Sequence, residues 1–476
     1  MTKKKIHNII LLLFVCAWLQ GCNTLREATR STDRNLPSDF GRAADTTTVA
    51  SWNWKQYFED EHLVALIDSA LQRNQELNIT LQEIEISKAE VRARKGEYLP
   101  FVGLRAGAGV DKVGKYTRDG AVEEHLTIMP EREFPEPLPD FMVGAFASWE
   151  LDIWKKLRNG KKAATLRYLA SVEGRNFMVT SLISELAEAY YELLALDNQL
   201  KIIEQNITIQ TNALNIVRQQ KEAAKLTQLA VNRFEAQLLN TQSLQYEVRQ
   251  RITETENRLN FLTGRYPGPI PRSSEAFVSI QINSVAAGVP SQLLKNRPDI
   301  RRAELELESA GIDVAIARAN FYPTLGITGA AGFNSFNAAH LIKPESLLFG
   351  LAGDLAAPLI NRNAIRAAYS SATAAQQQQV YAYEQTVLNA YIEVANQLSR
   401  IENSTQSYRA KEREASILNQ SVSISESLFR SARADYLEVL LTQREALESR
   451  MELIEIKLEQ FNARVMIYRA LGGGWR

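Results

Sequence analysis

A mainly α-helical fold with a small β part is predicted for this chain, with long helical hairpins that occur twice. Three observations predict it. Two very long stretches lack glycine and proline. One unit of roughly 200 residues occurs twice, as a helical repeat protein would show. Four short segments alternate in polarity as strands do.

The helices rest on composition. Arg175 to Thr263 and Leu359 to Leu471 contain neither glycine nor proline, although the chain has 23 and 14 of them. These residues are the strongest helix breakers. Both stretches are rich in Ala, Leu, Glu, Gln and Arg, which favour helix. Half of the second stretch already makes a rod of about 85 Å, far longer than an ordinary globular helix.

The repeat rests on matches in a constant order. Arg73-Asn74-Gln75-Glu76-Leu77 aligns with Asn296-Arg297-Pro298-Asp299-Ile300, and Tyr98-Leu99-Pro100 with Phe321-Tyr322-Pro323. Gly109 falls on Gly332, Ala189-Tyr190 on Ala390-Tyr391, Leu229-Ala230-Val231 on Leu437-Glu438-Val439, and Gly264 on Gly472. The organisation read from this is a first repeat over 60–264, a Pro-rich linker over 265–290, a second repeat over 291–472 and a C-terminal tail over 473–476.

The chain opens with an export signal over 1–21. Lys3-Lys4-Lys5 is a basic start and Ile9 to Leu19 an apolar run too short to span a bilayer. It ends in Leu19-Gln20-Gly21-Cys22, which resembles the lipobox of bacterial lipoproteins. That resemblance implies cleavage before Cys22, a covalent lipid on its sulfur, and a lipidated tail over 22–59. It also favours the outer membrane, because Asn23 rather than Asp follows the cysteine. Cys16 leaves with the signal, so no disulfide is expected in the mature chain. The histidines His7, His62, His125 and His340 show no metal-ligand spacing. Removing 1–21 leaves 52 basic against 55 acidic residues, since only Lys3, Lys4 and Lys5 are lost from 55 of each. That balance argues against nucleic acid as a partner.

The strands are predicted at Val102–Val110, Val143–Leu151, Leu325–Phe333 and Leu347–Leu355. In each, alternate residues are apolar, and about ten residues with one apolar face is the pattern of a transmembrane β-strand. They come as two pairs, one per repeat. The long polar link Asp111–Asp140 and the shorter Asn334–Ser346 suit exterior loops. No open sheet edge can face lipid, and four strands cannot close alone when the smallest barrels have about eight. Several copies must therefore share one barrel; strand count alone leaves two, three or four open. In the helices, Leu182, Leu186, Ala189, Leu193 and Leu196 mark an apolar stripe, and segments such as Gln376–Gln379 an uncharged polar face that would suit the wall of a water-filled bore.

Together these features resemble the TolC-like outer-membrane efflux protein family, in particular its lipid-anchored, NodT-type branch. Trp54, Phe58, Asp60, Leu63, Leu66, Ala70, Leu71, Asn74 and Leu77 fit its opening helix. Glu150-Leu151-Asp152-Ile153-Trp154 resembles its passage from strand to helix. The run from Val289 to Glu304, with Arg297-Pro298-Asp299, is the most specific match. It continues through Tyr322-Pro323-Thr324-Leu325 and Tyr436-Leu437-Glu438-Val439-Leu440 to Leu471-Gly472.

The resemblance implies a homotrimer with a shared twelve-strand transmembrane barrel above an α-helical periplasmic tunnel. It implies a passive exit duct of a tripartite efflux pump, fed by an inner-membrane efflux transporter through a periplasmic adaptor, with no catalysis and no cofactor beyond the lipid on Cys22. The linker would belong to a belt around the tunnel's waist. The adaptor contact would lie at the hairpin tips, at Ala224, Lys225, Leu226 and Thr227 and at Ala432, Arg433 and Ala434. The family usually has glycine at each tip; Ala224 and Ala432 stand there instead. Because alanine resists positive φ, a tighter turn or one through ordinary conformations is expected. Asp435 and Glu438 would form an acidic gate on one helix face. The competing reading is a non-conducting periplasmic coiled-coil lipoprotein, which leaves the four alternating strands without a role. An adaptor would carry one hairpin, not two, and no nucleophile–base order or phosphate loop points to an enzyme.

Overall fold

The computed structural model describes residues 36–41, 47–275, 277–280, 285–360 and 362–476. The export signal and Cys22 lie outside them.

Each repeat lays down the same run of elements. In the first, helices α1 (Glu61–Arg73) and α2 (Gln75–Glu97) lead to strands β1 (Phe101–Asp111) and β2 (Leu138–Leu151). A hairpin of α3 (Lys156–Glu222) and α4 (Gln228–Leu262) follows. In the second, a short helix at Leu293–Asn296 and then α5 (Pro298–Ala319) lead to β3 (Thr324–Ser335) and β4 (Leu347–Ala356), then to α6 (Asn363–Arg430) and α7 (Tyr436–Ala470). Helices α3 and α6 run unbroken for 67 and 68 residues, about 100 Å each. Helix α3 starts well before Arg175 and passes through Gly160 and Gly174. The second of these lies under a neighbour: a Cβ on Gly174 would sit 3.4 Å from the Arg302 guanidinium of α5. The apolar stripe Leu182, Leu186, Ala189, Leu193 and Leu196 is buried throughout.

The four strands form one antiparallel sheet in the order β1-β2-β3-β4. Pairing of β2 with β3 joins the two repeats. The register puts every apolar alternate on one face. Leu104 pairs with Ala145, Ala145 with Ala331, and Ala331 with Phe349. Val102, Val143, Trp149, Ile327, Phe333, Leu351 and Leu355 lie on the same side, which carries no charge. Leu104 is 87% exposed, and Phe349 and Leu351 are 82% exposed. Among the described residues the outer edges of β1 and β4 have no partner strand. Strand direction alternates, so β4 of one copy can pair antiparallel with β1 of the next.

At the helical end of the sheet, the Trp154 indole stacks on Tyr322 at 4.6 Å and donates to the Pro323 carbonyl. Trp149 donates to the Tyr98 carbonyl. Such amphipathic rings form the girdle of a membrane barrel. Asp152 then starts α3 by accepting from the Leu157 and Arg158 amides, both at 2.9 Å. At the other end, the long link is more ordered than its polarity suggested. It holds a helix at Arg118–His125, capped by Thr117, and a small hairpin of Thr127–Met129 with Arg132–Glu133.

The main core gathers where both repeats begin and end. Two segments read as tails are part of it. Trp54, Tyr57 and Phe58 are buried, and Tyr57 stacks on Tyr468 at 4.1 Å. Trp475 donates to the Asn296 carbonyl, and Arg476 to the Asn296 side chain. Aromatic burial outweighs the ordering cost that usually leaves chain ends loose. The linker is held by Arg272, which forks onto Asp197 at 2.6 and 3.0 Å and also reaches Glu256.

Matching staples close the two repeats. Asn74 caps α2 through the Leu77 amide and donates to the Leu262 carbonyl at the end of α4. Its counterpart Arg297 donates to the Ala470 carbonyl at the end of α7 at 2.8 Å. It also grips Asp299 with two nitrogens, at 3.0 and 2.6 Å, and Glu393 of α6 at 2.7 Å. Burial alone would lower the pKa of Arg297; the Asp299 and Glu393 carboxylates outweigh it and hold it above the usual value. Gly264 and Gly472 follow at φ 67° and 86°. A Cβ there would lie 2.5 Å from the Arg73 carbonyl and 2.6 Å from that of Asn296. Only glycine fits both the conformation and the contact.

Candidate functional site

Both hairpin tips close with the same geometry. At the first, the Ala224 amide donates to the Lys221 carbonyl and the Lys225 amide to the Gln220 carbonyl, at 3.0 and 2.8 Å. At the second, Ala432 donates to Phe429 and Arg433 to Leu428, at 3.0 and 2.9 Å. This is the Schellman pattern, which places its central residue in the left-handed region. Ala224 and Ala432 do sit there, at φ 56° and 59°. The expected tighter or ordinary turn is therefore not what the chain adopts. The hydrogen bonds and flanking helices impose the glycine geometry on alanine. Left-handed backbone costs a non-glycine residue about 1 kcal/mol or somewhat more. Glycine at both positions is expected to protect the Lys225 and Arg433 amides from hydrogen exchange by roughly fivefold. Unchanged or faster exchange would contradict the strain.

The two tips are brought together. Leu214, Val217, Ala230, Val231, Phe234 and Leu238 of the first hairpin form one apolar cluster. Leu226 packs on it from the first tip, and Phe429, Tyr436 and Leu440 from the second. Phe429 was not singled out in the sequence, and Tyr436 and Leu440 were named there only as part of the Tyr436–Leu440 motif. Their helical spacing around the second turn was the available signal. Lys225, Thr227, Ala432 and Arg433 are exposed, while Leu226 and Ala434 are half-buried. The tips thus present polar and basic groups over an apolar base.

Asp435 and Glu438 are both exposed, and only Glu438 lies within α7. Asp435 precedes α7 as its N-cap, with extended backbone at φ −81° and ψ 153°. Its carboxylate makes no capping bond, and Glu438 lies in the first helical turn. Among the described residues, no group of His, Cys, Asp and Glu is arranged to hold a metal ion, and no helix is long and apolar enough to cross a membrane.

The exposed apolar sheet face and the paired long hairpins agree with comparisons to known proteins. Residues 66–265 and 289–473 match the outer membrane efflux protein family. The chain belongs to this family. The two matched segments overlap the two runs of elements described above, and the gap between them falls in the Pro-rich linker. This outer membrane efflux protein is 28% identical to the solvent efflux pump outer membrane protein SrpC of Pseudomonas putida, over 92% of this chain and 91% of that protein. It is 26% identical to the cation efflux system protein CusC of Escherichia coli O6:H1 (strain CFT073), over 98% and 99%. Its fold matches a solved membrane protein from Pseudomonas aeruginosa with a TM-score of 0.84 and 24% identity, covering 94% of this chain and 99% of that one. The protein is the outer-membrane exit component of an efflux pump, and its family is one of transport channels.

Proposed function

We propose that three copies of this efflux protein close one barrel of twelve strands and stand on a common helical tunnel in the periplasm. One observation carries the reading. A sheet with an uncharged, exposed apolar face ends in two open edges of opposite direction, β1 and β4. In lipid each unpaired backbone group costs several kcal/mol, so copies must pair edge to edge. Covalent lipid on Cys22 adds an anchor at the outer membrane. The duct conducts passively and performs no catalysis; an inner-membrane efflux transporter supplies the energy.

The tips receive the periplasmic adaptor. Ala224, Lys225, Leu226, Thr227, Ala432, Arg433 and Ala434 form the contact, and Lys225 and Arg433 give it positive charge. Reversing both, by Lys225→Glu with Arg433→Glu, is expected to sensitise cells to exported compounds while the protein still reaches the outer membrane. Unchanged susceptibility would remove this contact.

Asp435 and Glu438 make an acidic ring near the closed lower end, with Asp435 on the turn and Glu438 one step inside α7. Like charges repel there and attract cations. In planar bilayers, Asp435→Ala and Glu438→Ala are expected to change single-channel conductance and weaken block by divalent cations. Conductance and block equal to the parent would take the gate away from these residues.

A further inference from the structure

We infer that the inner wall of the barrel carries a weak binding station for amphiphilic anions, centred on Arg105. The inference rests on the sheet forming part of a water-filled barrel with its apolar face outward. On the opposite face, the register aligns Arg105, Gly144, Gly332 and Leu348 in one row. The two glycines leave a bare floor between a cation and an aliphatic side chain. Strand packing keeps it bare: a Cβ on Gly332 would lie 2.4 Å from the Val143 carbonyl oxygen, and one on Gly144 2.9 Å from that of Ala331.

Phe146 and Met142 stand on the same face in the adjoining rows. Phe146 lies across Gly103, where a Cβ would come within 2.7 Å of its ring. With the adjoining residues of β2 and β3 these groups line an open pocket of about 330 Å³. Phe146 is still 40% exposed, so its ring can be reached from that side. Arg105 is the only basic residue in the four strands. It has no acidic partner among the described residues. The acids of its face, Asp111, Asp140, Glu150 and Asp354, lie in other rows. Asp140 is bonded to Asn334 and Glu150 to Lys156.

A flat apolar body fits over the glycine floor against Phe146, with its anionic group on Arg105. Binding must be weak enough to release cargo, as conduction requires. The station shields the apolar part of an anion from water on its way out. Cargo without negative charge gains only the apolar wall.

The test is block of single-channel current in planar bilayers by 1-anilinonaphthalene-8-sulfonate and by its uncharged parent, N-phenyl-1-naphthylamine, each read against the variant's own open current. Arg105→Gln is expected to raise the half-blocking concentration of the sulfonate at least about tenfold, as loss of a charge-assisted bond does, and to leave that of the uncharged parent in place. Phe146→Ala is expected to weaken both. A wild-type channel that the sulfonate does not block, or Arg105→Gln blocked within about twofold of the parent, overturns the station and leaves the duct intact. A protein that passes no current overturns the duct, and the station with it.

Discussion

Leu351→Arg is expected to prevent assembly in the outer membrane, whereas Ala352→Arg, the next residue along β4, is expected to be tolerated. The two positions differ only in face. Leu351 is 82% exposed on the uncharged side with Phe349 and Leu355. Ala352 points the other way, opposite Thr328. Arginine at the lipid-facing midplane of a barrel costs about 2–4 kcal/mol, and a lumen position carries no such penalty. A shared barrel multiplies the cost by the number of copies, so a trimer loses roughly 6–12 kcal/mol. Heat-resistant oligomer in outer-membrane fractions reads the result. Equal loss from both variants would mean that the sheet does not separate lipid from water.

Arg297→Ala is expected to cost about 3 kcal/mol, the lower end for breaking a buried ion pair. The side chain is 6% exposed and holds three partners: Asp299, Glu393 and the Ala470 carbonyl. Glu393 is 53% exposed and can turn to water, which limits the loss. Asp299, at 20%, stays largely enclosed beside an empty space. Arg297→Lys should rescue little, because an ammonium cannot reproduce the two-nitrogen grip on Asp299. Asn74→Ala, the counterpart in the first repeat, loses one cap and one neutral bond and should cost only ~1–2 kcal/mol. Denaturant unfolding of the detergent-extracted protein measures all three. A smaller loss for Arg297→Ala than for Asn74→Ala would contradict the staple.

Much of the architecture was legible because it is written in periodicity. Val102, Leu104, Ala106, Ala108 and Val110 alternate in the chain and share one face in the sheet. What alternation cannot show is which strands become neighbours, so the β2–β3 pairing across the repeats came only with the register. The breaker rule found the long hairpins but missed the first part of α3. A glycine costs a helix only about 1 kcal/mol relative to alanine, and α3 runs on through Gly160 and Gly174.

The ends were also misread. Trp54 and Phe58 read with the opening helix, yet the segment up to residue 59 reads as a tail; Tyr57 and Phe58 pack on Tyr468, more than 400 residues away. The turns fall at Ala224 and Ala432, but their conformation is not the expected one. Propensity assigns alanine an ordinary φ, but two hydrogen bonds per tip fix Ala224 and Ala432 in the left-handed region. Asp435 was set on the helix from its spacing to Glu438. A three-residue spacing is also that of an N-cap to the first turn, and the structure takes that option. Arg297 illustrates the opposite case: the motif was evident, yet its three partners lie on α5, α6 and the end of α7, beyond the reach of local reasoning.

The most direct test of the shared barrel is to weigh the detergent-extracted particle by native mass spectrometry and then record its current in a planar bilayer. The account predicts three chains per particle and long-lived, stepwise ion conductance. A single chain per particle that leaves the bilayer sealed would contradict it.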